Sequence, residues 1–244
     1  MGIHEVDRLA PVIVRRDVEI HRDSVGPYHT RMHFSFGDYQ DPTQMGIGAL
    51  RVLNHRVLPP AARPVLELHA HAVRVAYVIA GALVHRDRNI DDGRVDAGGV
   101  QRSALPAPAE ALEWNPLPVA PLELLDIWLH PRREPTRMVE QRQYHLDDRR
   151  NRWLQLARPH GTPGTGVAVD TDVSILASHV EPGAVVEEHT IRAGGGGYAY
   201  VISGVADLNA ELLRTGDAAV ITGSGSVVVA AREHTEVVMV DTAL

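Results

Sequence analysis

The sequence predicts an all-β chain built from two similar barrel modules, and three observations carry that prediction. Glycine and proline supply 37 of the 244 residues, 21 plus 16. They fall between short Val/Leu/Ile-rich runs, which favours many turns and short strands over long helices. Turn signals recur roughly every 8–12 residues, the spacing of a β-sandwich or barrel. Finally, AYVIAGALV at Ala76–Val84 is echoed by AYVISGVADL at Ala199–Leu208. Each is a strand, a Gly turn and a second strand, as two copies of one module would give.

The elements follow in order. Ile47–Leu58 reads as a strand pair closed by the breaker run PPAARP, and Val65–Ala80 reads as a single strand ended by Gly81. ALVHRD leads into a turn-rich, charged stretch over Arg88–Gly99, and Leu112–Trp114 and Leu122–Leu129 complete a first unit. Pro131–Arg137 is charged and proline-rich, unsuited to a central strand or a long helix, so it reads as a linker between domains 1–131 and 132–244. Beyond it SILASHV, EEHTI, AAVIT, SVVVAA and EVVMVD are again short β-branched runs. The mixed-charge segment around Asp147–Arg152 reads as a short solvated helix, and AGGGG at Ala193–Gly197 as a mobile turn. That glycine run opens a strand and lacks the Lys-Ser/Thr of a phosphate loop. Ser224 sits in a Ser-rich turn without the flanks of a nucleophile elbow.

Composition excludes several functions. The formal charge of −7 leaves no global positive field for nucleic acid or anionic lipid. The absence of cysteine removes disulfides, thiolate zinc sites and Cys nucleophiles. The start MGIHEVDRLAP carries no apolar signal region, and no run of about 18 apolar residues follows, so a cytoplasmic protein is expected. Fourteen His stand against eleven aromatics, 2 Phe plus 3 Trp plus 6 Tyr. Imidazole suits proton transfer and metal binding, although scattered surface His would give the same count.

Position therefore has to select among them. Read as one strand, Val65–Ile79 places Glu67, His69 and His71 on one face. In a barrel interior such a face would line a ligand cavity, because an unpaired buried carboxylate is costly, whereas on an outer face it would simply be solvated. His-x-His on a strand can share one ion, but it needs further ligands from another strand, and Glu113 in ALEWNP is the nearest downstream candidate.

HFSFGDYQDPTQMGIGALRVLN, His33–Asn54, resembles the N-terminal signature of the pirin family, in particular bacterial pirin-like proteins with quercetin 2,3-dioxygenase activity. The resemblance continues through YVIAGALVHRD (Tyr77–Asp87), AGGVQ (Ala97–Gln101), EWNP (Glu113–Pro116), LLDIWLHP (Leu124–Pro131) and VEQRQY (Val139–Tyr144), and covers nearly the whole chain. It implies a bicupin, two tandem cupin (jelly-roll) barrels, with any metal in the N-terminal one. The family site comprises two His of a His-x-His strand plus a His and a Glu two residues apart on a later strand. Counted without gaps, these positions fall on Glu67, His69, Ala111 and Glu113, so the metal site is degenerate. Restoring His69 and His71 as the pair would require a two-residue deletion before Tyr77.

The expectation is that Glu67, His69 and Glu113 converge inside the N-terminal barrel as catalytic residues. The same three are the metal ligands if an ion binds. The cofactor expected is none, or a weakly held divalent metal, with manganese, iron, nickel and zinc not distinguished. Two carboxylates and one His would carry acid-base chemistry on an aromatic or polyketide-like small molecule, as an isomerase, cyclase or lyase. The alternatives are a metal-dependent quercetin 2,3-dioxygenase-like oxygenase and a non-enzymatic pirin-like regulatory protein. The expected partner is a small-molecule ligand in the N-terminal barrel, with neither nucleic acid nor membrane. The C-terminal barrel, offering only His189 in EEHTI, is expected to carry no site.

Overall fold

Short β-branched runs between turns become strands that bury one face each, and strands with one apolar face must pair and stack. The computed structural model describes residues 8–62, 65–69, 72–87, 90–105, 109–134 and 138–244. Among them the helical elements are two single 3-10 turns, Asp17–Glu19 and Leu146–Asp148. The second is the short solvated segment expected there, tied down by Arg150, which reaches Asp147 at 2.9 Å and Glu181 at 2.6 Å.

The N-terminal unit comprises Ile20–His145 with Leu156–Asp172. Its larger sheet has seven strands, in the order Met138–Gln143, Gly99–Leu105, Ala72–Ala80, Leu122–Leu129, Leu50–Leu58, Tyr28–Met32, His21–Val25. A four-stranded sheet runs Val65–His69, Ala109–Trp114, Ala82–Asp87, Ile90–Asp96. Ala76, Val78, Leu124 and Leu58 from the first sheet pack with Leu83 and Val95 from the second. Burying each of the larger aliphatic side chains contributes about 1.5–3 kcal/mol, so this cluster holds the two sheets together.

The other unit contains Leu146–Gln155 and Val173–Leu244, together with the N-terminal strand Val12–Arg15. In its larger sheet the order is Val12–Arg15, Ala218–Ile221, Gly195–Ser203, Thr235–Ala243, Val173–Val180. Its smaller sheet runs Val185–Ile191, Gly225–Ala231, Val205–Leu208, Glu211–Arg214. Val201, Leu208, Leu213, Ile221, Val229 and Met239 belong to the apolar cluster that fills it.

The echo between the halves is structural. Gly81 (φ +80°) and Gly204 (φ +95°) occupy the same strand-turn-strand position in the two units. A Cβ at either would meet a backbone carbonyl, Pro121 O at 2.3 Å or His234 O at 2.1 Å, so both the conformation and the space demand glycine. The AGGGG run is more than a turn. Gly195–Gly197 enter the sheet, and a Cβ on Gly197 would sit 2.4 Å from Val240 O.

Four sequence expectations need correction. The units do not part at residue 131, because Met138–Gln143 pairs with Gly99–Leu105 and so completes the N-terminal sheet. Val12–Arg15, counted with the first domain, pairs with Ala218–Ile221 in the second unit. Ile47–Leu58 is one strand, Leu50–Leu58, entered by a tight turn in which Ile47 and Leu50 bridge. The fourth correction matters most for the site. Val65–Ala80 is two strands, Val65–His69 in the small sheet and Ala72–Ala80 in the large one. Alternation holds only within a strand, so the face shared by Glu67 and His69 does not continue to Val73 and Val75. His71 lies outside the described residues.

Candidate functional site

The backbone register builds the site. Val65–His69 and Ala109–Trp114 are antiparallel neighbours that pair Val65 with Glu113, Glu67 with Ala111 and His69 with Ala109. Directly opposed residues share a sheet face, so positions 67, 69, 111 and 113 belong to one face. Glu113 shows that this face looks inward, since it is 1% exposed. The side chains of Glu67, His69 and Ala111 lie outside the described ones, so their convergence on Glu113 rests on register alone.

What Glu113 meets is an arginine. Arg74, on the opposite sheet, is 1% exposed and holds both carboxylate oxygens, Nη1 on Oε1 and Nη2 on Oε2 at 2.9 Å. Its Nε donates to Asp126 Oδ1 at 2.5 Å, which also accepts from Trp128 Nε1 at 2.9 Å. Arg56 adds a second guanidinium, 3.2 Å from Asp126 and 3.6 Å from Glu113. Burial alone would push the Asp126 carboxyl up, but Arg74 and Arg56 outweigh it and hold Asp126 below the usual carboxylate range. Two cations and two carboxylates thus form a charge-balanced layer, and planar fork-to-carboxylate pairing gives it a fixed geometry.

Beside that layer stands His85, 0% exposed and directly across the sheet from Glu113. Its Nδ1 lies 2.7 Å from Gln101 Oε1. With Gln101 presenting its carbonyl oxygen, Nδ1 is the donor in this bond. Asn54 Oδ1, Gln101 Nε2 and Ser103 Oγ are buried with no hydrogen-bond partner among the described residues, which leaves the interior capacity for a polar ligand. Sequence reasoning missed Arg74 and His85. His85 was legible as the middle of the alternating set Leu83, His85 and Asp87 that follows the Gly81 turn. Arg74 was not, because its inward face depends on the change of sheet before it.

Of the residues that would hold the metal implied by the family resemblance, Glu113 is the one whose side chain is described, and it is engaged otherwise. Ala111 offers no donor atom, and both Glu113 oxygens are committed to Arg74. Among the described residues no three His, Asp or Glu side chains gather as an ion would require.

On the outward side of the same strands His55, 3% exposed, binds Glu123 Oε1 at 2.7 Å. That hydrogen bond leads the interactions holding the Glu123 carboxyl below its ordinary range. Arg22, Arg31, His29 and His55 border an open pocket of about 200 Å³ there. In the second unit His189, the lone candidate of EEHTI, pairs with Asp241 at 2.9 Å.

Comparisons with known proteins agree with this architecture. Residues 157–242 match the family described as quercetinase C-terminal cupin domain. A pirin-like protein of Caulobacter vibrioides is 28% identical over 214 residues, 86% of this chain and 90% of its own. The quercetin 2,3-dioxygenase of Escherichia coli is 32% identical over 118 residues, about half of each chain (48% and 50%). The E. coli bacterial pirin YhhW, solved in complex with nickel(II), superposes with a TM-score of 0.86 at 24% identity, over 96% of this chain and 99% of that one. Two barrels on one strand plan, matched along most of their length by a pirin-like relative, make this chain similar to the pirin-like bicupins in fold and over most of its sequence.

Proposed function

We propose that the N-terminal barrel binds a small aromatic or polyketide-like molecule and moves protons on it without a metal, in an isomerase, cyclase or lyase type of reaction. The observation that carries this reading is His85, buried, oriented by Gln101 and paired with Glu113 on the neighbouring strand. An imidazole so placed can accept a proton from a carbon or hydroxyl acid and return it elsewhere. Glu113, with both oxygens engaged by Arg74, presents a fixed ion pair beside the ring. Glu67 and His69, on the same face by register, are the further acid-base candidates.

The test is turnover of flavonols and polyphenolic ketones under anaerobic, chelator-treated conditions. Persistence of activity is expected, together with a loss of roughly 10²–10⁴ in kcat for a folded His85→Gln variant. The names of the relatives favour a second reading, a metal-dependent quercetin 2,3-dioxygenase. Activity that vanishes without oxygen or metal would establish that reading and overturn ours.

A further inference from the structure

We infer that Arg74 is the resident cation of the N-terminal barrel, standing electrostatically where the family resemblance implies a divalent ion. Its guanidinium crosses from the large sheet to grip both oxygens of Glu113, the one position of the family ligand set whose described side chain carries a donor. The same group holds Asp126, and with Arg56 it brings the layer to two positive against two negative charges. An added divalent ion would have to displace a bidentate, desolvated arginine and would leave the buried layer with surplus positive charge. Both costs are large in a site cut off from water. Removing Arg74 reverses the balance. Glu113 and Asp126 would then share only Arg56, 3.6 Å and 3.2 Å away, an arrangement of hard oxygen donors that takes up Mn²⁺ readily.

This inference is independent of the proton-transfer reading, because its experiment measures ion uptake and not turnover. Wild type, Arg74→Met, Arg74→Lys and the Arg74→Met/Glu113→Gln pair are titrated with Mn²⁺ by equilibrium dialysis, alongside melting curves with and without the ion. Wild type and Arg74→Lys, which retain the internal charge, are expected to take up no stoichiometric Mn²⁺ in the barrel. Arg74→Met is expected to bind one equivalent, and its melting temperature to rise by about 5–10 °C at roughly a hundredfold excess over Kd. The double variant, relieved of one carboxylate, is expected to fold and to lose that uptake. Stoichiometric uptake by wild type that Glu113→Gln abolishes would overturn the inference. So would an Arg74→Met protein that Mn²⁺ neither binds nor helps to fold.

Discussion

Glu113→Gln is the most informative single change. An isolated cavity-lining acid could be neutralised without harm to the fold, whereas Glu113 is a buried counterion. The substitution keeps the side chain's shape and one acceptor oxygen but removes the charge opposite Arg74. Two guanidiniums, the fully buried Arg74 and the largely buried Arg56, then face a single buried carboxylate, Asp126. Breaking a buried pair by removing one partner costs about 3–5 kcal/mol, and the retained amide oxygen and Asp126 place this case near 3. At about 2–4 °C per kcal/mol for a domain of this size, the melting temperature should fall by about 6–12 °C. Circular dichroism melts at pH 7 give that number directly. Replacing both partners, Arg74→Met with Glu113→Leu, should recover most of the loss, since an apolar pair can substitute for a buried ion pair at little net cost. A shift below about 2 °C for Glu113→Gln, or additive losses in the double variant, would refute the assignment of Glu113 to a closed ion-pair layer.

Other expectations follow from the same geometry. Because Asp126 titrates below its ordinary value in the folded protein, its contribution is complete above the unfolded carboxyl pKa of about 3.9 and is lost as pH falls toward the folded value. Asp126→Asn should therefore flatten the acid limb of the stability profile, and an unchanged acid limb would count against the Arg74–Asp126 pairing. Gly204→Ala forces a Cβ to within 2.1 Å of His234 O at φ +95° and should lower stability by about 1–3 kcal/mol or more, read from chemical denaturation. A fragment spanning 132–244 lacks the Val12–Arg15 strand and the salt bridge from Arg16 to Asp217 at 2.9 Å. It should melt well below the intact chain and gain stability when a peptide of residues 8–19 is added. Independence from that peptide would refute the N-terminal strand's structural role.

The sequence by itself determined what is local. Short β-branched runs made strands, and glycines with no room for a Cβ, Gly81 and Gly204, marked equivalent corners in two copies of one module. Counting without gaps placed the family positions on 67, 69, 111 and 113, and the observed pairing of Glu67 with Ala111 keeps them on one face. Only the tertiary structure decided which strand joins which sheet. Side-chain alternation fixes relative faces within a strand, but the choice of inward face depends on long-range pairing, and the chain changes sheets between His69 and Ala72. That change turns Arg74 inward onto Glu113. The same kind of non-local pairing sends Val12–Arg15 to Ala218–Ile221, some two hundred residues away, where no periodicity in either segment could announce the partner. The residues at the centre of the barrel were all visible as letters. Their chemistry, a closed ion-pair layer beside a buried histidine, came from strands distant in sequence being folded against each other.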